Sequence, residues 1–424
     1  MGHIHANNDP IKNDRHGLNG DDGNDPADRN EHAGTSGGGG AGAGAGALTV
    51  IEQKPSSSSS IIRKLRSPST SRKGKSSSSS TSSYLCGLAC FGTPPTFSSV
   101  GGEENGMASL RVPDIVPSPA DDCQKLRKAF EGWGTDEKAV IWILGHRNSS
   151  QRKKIREAYQ QLYNKSLIAD LYSELSGDFR KAIIWWTYDP PERDARLAKE
   201  ALQTRKKGIK HLLPIIEIAC ASVPQHLIAV RQEYCSLHDC SMEEDIPESL
   251  SFPVRKFLVG MVSCFRYDKE LVDSELAKSE AALLHEAIEK KQLYHDHVLW
   301  ILTTRNFSQL RATFAVYKQD YGTSIDEDIR KCGNGDLESL LKVLVCCIDT
   351  PEKHFAEVIR IAIVGLGTDE DSLSRAIVTR AEVDMKKVRE EYSNMYRVSL
   401  DSDVIGDTSG DYKNFLLTLL GSKT

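Results

Sequence analysis

The sequence predicts an all-α protein made of four repeats of about five helices each. Three observations lead there. From residue 119 onward, apolar residues recur at three- and four-residue spacing, which puts them on one face of a helix. The stretch AFEGWGTDEKAVIWIL at 129–144 returns as AIVGLGTDEDSLSRAI at 362–377 with its glycines in register. SLIADLYSELSGDFRKAI, beginning at Ser166, returns in the same order as SLDSDVIGDTSGDYKNFL, beginning at Ser399.

Within the first unit, Leu126, Ala129 and Phe130 mark one apolar stripe, and Ala139, Ile141, Ile143 and Leu144 begin a second. Ile155, Ala158, Tyr159 and Leu162 mark a third. SLIADLYSEL supplies a short fourth helix. GDFRKAIIWWTYD supplies a fifth, closed by Pro190 and Pro191, which cannot continue a helix. HVLWILTTRNFSQLRATFAVYKQDYG at 297–322 repeats the pattern of 139–164, and IIEIACASVPQHLIAVRQEYCSLH at 215–238 is a more worn copy. The expected repeats are 119–190, 193–268, 275–350 and 354–424, the middle two degenerate, after a short arm at 107–118. Segments such as IWW and CCI resemble short strands, but the windows around them keep helical periodicity. Trp142, Trp185, Trp186 and Trp300 are expected in core or inter-repeat packing.

Residues 1–106 read differently. Glycine-alanine and serine runs offer little apolar burial to offset the cost of ordering, so a disordered extension is expected. A basic island from Arg63 to Lys75 reads as solvated linker or as a contact for anionic lipid, and YLCGLACF at 84–91 places Cys86 and Cys90 where a lipid could attach. Ala6 stands where N-myristoylation requires Ser or Thr.

The 424 residues carry a formal charge of -5, which gives no general footprint for nucleic acid, so no specific nucleic-acid partner is expected. Ten cysteines without a C-x-x-C pair read as reduced thiols. No apolar run is long enough to span a bilayer and the first residues are polar, so a cytoplasmic protein is expected.

The glycine turns carry the chemistry. Gly132 and Gly134 suit a tight turn, with Thr135 expected to cap the next helix and Asp136 and Glu137 suited to its positive end. Such a turn exposes carbonyl oxygens, and calcium needs six to eight oxygen ligands, with a carboxylate able to supply two. Glu174 follows Gly132 at the same interval at which Asp407 follows Gly365, each just ahead of an S-G-D sequence. The expected calcium ligands are therefore the backbone carbonyls of Phe130, Gly132 and Gly134 with Glu174, and those of Ile363, Gly365 and Gly367 with Asp407. Trp133, at the tip of the first turn, is expected to be exposed and to contact lipid, with Leu366 as its counterpart. In the third unit Lys290, Gln292 and Cys332 fall at the places of Gly132, Gly134 and Glu174; in the second, Lys207, Ile209 and Ser249 do. Neither middle unit keeps the combination.

G-W-G-T with Glu174 and G-L-G-T with Asp407, inside repeats of this length, resemble the annexin family, especially its plant members, over about 110–424. The resemblance implies a curved core of four five-helix repeats and calcium-dependent, reversible peripheral binding to acidic phospholipid membranes. It also makes MASLRVPD, from Met107, look like an ordinary start for such a protein. Calcium-independent scaffolding of protein partners is the alternative reading. The resemblance further links His146, in GHRNSSQRKK, to peroxidase-like activity and the family to ion conduction. A lone histidine supports a polar contact at a helix boundary better, and the chain has no phosphate-gripping G-x-x-x-x-G-K-[ST] sequence.

Overall fold

The structure is a computed structural model, and it describes residues 106–204, 208–365 and 367–422. The expected disordered extension, with its basic island and Cys86 and Cys90, lies outside the described residues except for Gly106. Among the described residues there are twenty α-helices, in four successive sets of five.

The first set is α1 (Pro119–Ala129), α2 (Glu137–Leu144), α3 (Ser149–Tyr163), α4 (Leu167–Glu174) and α5 (Gly177–Thr187). The second is α6 (Pro190–Gln203), α7 (Leu213–Cys220), α8 (Pro224–His238), α9 (Met242–Ser249) and α10 (Val254–Ser263), with a short 3-10 turn at Ile209–Leu212 ahead of α7. The third is α11 (Ser274–Glu289), α12 (Asp296–Thr304), α13 (Phe307–Tyr321), α14 (Ile325–Cys332) and α15 (Asp336–Asp349). The fourth is α16 (Pro351–Ile363), α17 (Glu370–Arg380), α18 (Met385–Tyr396), α19 (Leu400–Asp407) and α20 (Gly410–Leu420). The strand-like IWW and CCI segments lie inside α5 and α15.

Local chemistry sets the helix ends. Ser118 and Asp121 form a reciprocal capping box with Pro119 as the first residue of α1, and Asn148 with Gln151 does the same for α3. One tyrosine–aspartate bond recurs in every set. The hydroxyl of Tyr159 donates to Asp170 at 2.7 Å, that of Tyr317 to Asp328 at 2.9 Å and that of Tyr392 to Asp403 at 2.6 Å, and Tyr234 bonds Asp245 in the same way. Each of these rings is 0% exposed, so the bond satisfies a phenol at the edge of a dry core.

The apolar side chains form two cores. One gathers residues of the first and fourth sets together with Leu197 of α6, the other those of the second and third. Phe179 of α5 meets Phe415 of α20 edge-on at 5.9 Å, joining the first set to the last. Trp186, fully buried, donates its indole N–H to the Leu144 carbonyl at 2.7 Å and carries the Arg152 guanidinium 3.6 Å above its ring. At the seam between the two cores, Glu217 of α7 meets His354 Nε2 at 3.0 Å and pairs with Arg375 of α17.

Two tryptophans depart from expectation. Trp185 and Trp186 are buried, but Trp142 is 61% and Trp300 55% exposed. They face outward on α2 and α12, so the apolar pattern there is one residue wider than the stripe that faces the core. Each indole has one neighbour about a turn along against its ring: His146 lies 4.4 Å from Trp142 and the Arg305 guanidinium 4.0 Å from Trp300.

Candidate functional site

The first glycine turn joins α1 to α2 and the other joins α16 to α17. Gly132 has φ +125° and Gly134 +89°; Gly365 and Gly367 have +155° and +90°. A side chain at these angles would be strained, so the sequence folds this way only with glycine. Both turns close with the same backbone bond, Asp136 N–H to the Ala129 carbonyl at 2.9 Å and Asp369 N–H to the Ala362 carbonyl at 2.8 Å.

The distant acids come to the turns. Thr135 Oγ1 donates to the Glu174 backbone carbonyl at 3.0 Å and lies 3.4 Å from its carboxylate, while Thr368 Oγ1 donates to the Asp407 carboxylate at 2.6 Å. Each threonine thus ties a turn to the end of a helix 39 residues away. The sequence expectation that Thr135 caps α2 is corrected here. Asp136 is the cap, accepting from Ala139 N–H at 3.0 Å, and Asp369 caps α17 by accepting from Ser372 N–H at 3.1 Å. Recurrence of threonine in both G-x-G-T copies was the available signal for its different role.

Among the described residues no donor bonds to the carbonyls of Phe130, Gly132 or Gly134, nor to those of Ile363, Gly365 or Gly367. The Phe130 and Ile363 side chains are buried and anchor the turns, while Glu174 is exposed and Asp407 half-buried. Trp133 is 109% exposed, with its whole ring in solvent. Leu366 lies outside the described residues. Among the described residues no group of three or more His, Cys, Asp or Glu side chains is placed to hold a metal, which is compatible with a site made mainly of backbone oxygen.

The third set shows what replaces this arrangement. The Cys332 thiol donates to the Ile288 carbonyl at 3.4 Å, so a weak donor covers the oxygen matching that of Phe130. Lys291 sits at φ +53° where Trp133 stands in the first turn, and its N–H is bonded inward to that same Ile288 carbonyl at 2.8 Å. In the second set Ile209 opens the 3-10 turn and Ser249 ends α9, while Lys207 lies outside the described residues.

His146 lies at the other end of α2 from the turn. Its Nδ1 is 3.0 Å from the Trp142 carbonyl, and burial pushes its pKa below the ordinary histidine value. The geometry gives it a helix-end contact.

These features define a protein of four five-helix repeats, with matched glycine turns in the first and last and altered turns between. The family model described as Annexin matches residues 121–186, 279–344 and 354–419. Annexin D3 of Arabidopsis thaliana is 60% identical over 320 residues, covering 75% of this chain and 100% of the relative; Annexin D2 of the same plant is 45% identical, covering 74% and 99%. Among solved structures, annexin III matches with a TM-score of 0.69 and 33% identity over 75% of this chain and 98% of its own. Chicken annexin V in complex with Zn2+ matches at 0.68 and 32% over 75% and 99%. The chain belongs to the annexin family, of plant type, and with that membership goes calcium-dependent, peripheral binding to phospholipid membranes. No helix among the described residues is long and apolar enough to cross a membrane.

Proposed function

We propose that the chain holds calcium at two turns, the carbonyls of Phe130, Gly132 and Gly134 with Glu174, and those of Ile363, Gly365 and Gly367 with Asp407, and so attaches reversibly to acidic phospholipid membranes from the cytoplasm. One observation carries this reading: in each turn three carbonyls without an internal donor stand beside a carboxylate that a threonine brings from another helix end. Calcium, when bound, supplies the positive charge that joins these oxygens to lipid phosphate. The turn oxygens and the carboxylate leave part of the six- to eight-oxygen shell to water and lipid. Acidic lipid therefore raises the apparent calcium affinity, and calcium raises the affinity for lipid by the same factor. Trp133 extends beyond the turn, where an indole is suited to the interface between headgroups and acyl chains; Leu366 holds the matching position in the fourth repeat.

Cosedimentation with phosphatidylserine-containing vesicles and with neutral phosphatidylcholine vesicles, in calcium and in chelator, tests this. Attachment is expected only with calcium and phosphatidylserine together. Equal attachment to both vesicle types in chelator would overturn the proposal, and soluble proteins retained in chelator would favour scaffolding.

A further inference from the structure

Beside the α4–α5 junction lies a cleft of about 670 Å³, within the range of small-molecule sites. Its wall holds three cation–aromatic pairs. The Arg180 guanidinium lies 4.5 Å from the Tyr172 ring, Lys181 Nζ 4.8 Å from the Trp185 ring and the Arg196 guanidinium 4.6 Å from the Tyr188 ring. Lys181 is also paired with Asp371 at 2.7 Å and Glu200 at 3.4 Å, and Arg196 with Glu192 at 3.1 Å. Arg180 differs. It reaches only the Tyr172 and Leu175 carbonyls, at 3.5 and 3.4 Å, and no carboxylate among the described residues. The Nε of Arg196 is buried without a hydrogen-bond partner among the described residues. Asp178 is the one acid on the cleft wall.

The cleft is not a by-product of the repeat. At the positions of Tyr172, Arg180, Lys181 and Trp185, the fourth repeat has Ile405, Lys413, Asn414 and Thr418, and the third has Arg330, Glu338, Ser339 and Val343. The second has Pro247, Arg255, Lys256 and Gly260, so the cation pair recurs there, but of the four repeats only the first sets aromatic rings at these positions. Ring faces hold a cation in place without neutralising it, which leaves the planar fork of Arg180 available to an oxyanion. Ile168 and Ile184 add apolar surface alongside.

We propose that this cleft binds a phosphomonoester carried on a short apolar or ring-shaped body, the phosphate on Arg180 and the body along Ile184 and the aromatic wall. An arginine fork with no carboxylate on it can bond two oxygens of a phosphate. Gly177 and Asp178, at one end of the cleft, follow closely on Glu174, so a lipid headgroup at the calcium turn and a soluble phosphomonoester both have access. The site does not depend on the calcium turns.

The test is isothermal titration of the full chain in chelator with dioctanoyl phosphatidic acid below its micelle-forming concentration, with dioctanoyl phosphatidylcholine and glycerol 3-phosphate as comparisons. Saturable binding of the phosphatidic acid is expected, with phosphatidylcholine weaker by about tenfold or more. R180Q should lose about tenfold or more, and R180K, which keeps the charge without the fork, should fall between. K413Q, the matching change in the fourth repeat, should bind as the unaltered chain does. Far-UV circular dichroism checks that each variant is folded. Glycerol 3-phosphate binding as tightly as the lipid would identify a soluble phosphomonoester as sufficient; much weaker binding would identify the headgroup with its acyl body. Both results uphold the site if R180Q weakens the binding by about tenfold or more. Unchanged affinity in folded R180Q, phosphatidylcholine binding as tightly as phosphatidic acid, or no binding at all would overturn it.

Discussion

The hydroxyl of Thr368 donates to the carboxylate of Asp407 at 2.6 Å, whereas Thr135 makes its shorter bond to the backbone of Glu174 and lies 3.4 Å from the carboxylate. The fourth-repeat acid is thus held on its turn, and the first-repeat acid is freer. T368V should weaken calcium binding at its turn severalfold and T135V less, because each loses one hydrogen bond but only Thr368 fixes the charged group closely. Calcium titration of both variants in the presence of phosphatidylserine vesicles measures the difference. Equal loss would remove the distinction.

Removal of the acids themselves should cost more. E174A and D407A should each weaken calcium-dependent vesicle attachment, the double substitution further, with helicity preserved because neither side chain is part of a core. A folded double variant with the calcium dependence of the unaltered chain would refute the ligand assignment.

G134A, at φ +89°, meets no atom within 4 Å of the added carbon, so its penalty is backbone strain of about 1–2 kcal/mol. The turn should distort and calcium affinity at the first site should fall about tenfold, while the unfolding free energy falls by no more than that strain. Calcium titration and calorimetry together check this.

Trp133 is fully exposed, so W133A should alter folding stability by about 0.5 kcal/mol or less. It should nonetheless reduce vesicle attachment, and a fluorescent probe at 133 should respond only when calcium and acidic lipid are both present. A large stability loss with unchanged attachment would contradict an interfacial role.

Glu217 holds the two cores together. Burial pushes its pKa up, but the charge of Arg375 and the bond from His354 outweigh burial and hold it below the ordinary glutamate value. The stabilisation is therefore present above the unfolded-state pKa and is lost as pH falls through the lower folded-state value. E217Q should destabilise by about 3–5 kcal/mol at neutral pH, because it leaves Arg375 buried without its counter-charge. The gap from the unaltered chain should narrow below roughly pH 4. Denaturant unfolding at neutral and acid pH reads both effects.

Much of the calcium turn was legible in the sequence because its requirements are local: glycine where φ is positive, and an acid at a constant interval. The role of threonine was not, since an oxygen ahead of a helix can cap it or reach elsewhere, and Asp136 and Asp369 compete for the cap. Exposure of Trp142 and Trp300 was also hidden. Adjacent apolar residues do not say which one faces the core, and a neighbour about one turn on can flank an outward indole.

By itself the sequence determined the helices, their grouping into repeats and the two matched turns, because periodicity, capping and positive φ act over a few residues. The Tyr-to-Asp spacing, equal in all four repeats, belongs with these and carries even the worn second copy. Only the tertiary structure decided that the first repeat shares its core chiefly with the fourth, taking in just Leu197 of α6 among the buried residues of the second. Every repeat presents apolar helix faces of similar character, so sequence order cannot rank their partners. Specific long-range fits do, such as Phe179 against Phe415, and the same pairing sets Asp371 beside Lys181 while Arg180 keeps no acid.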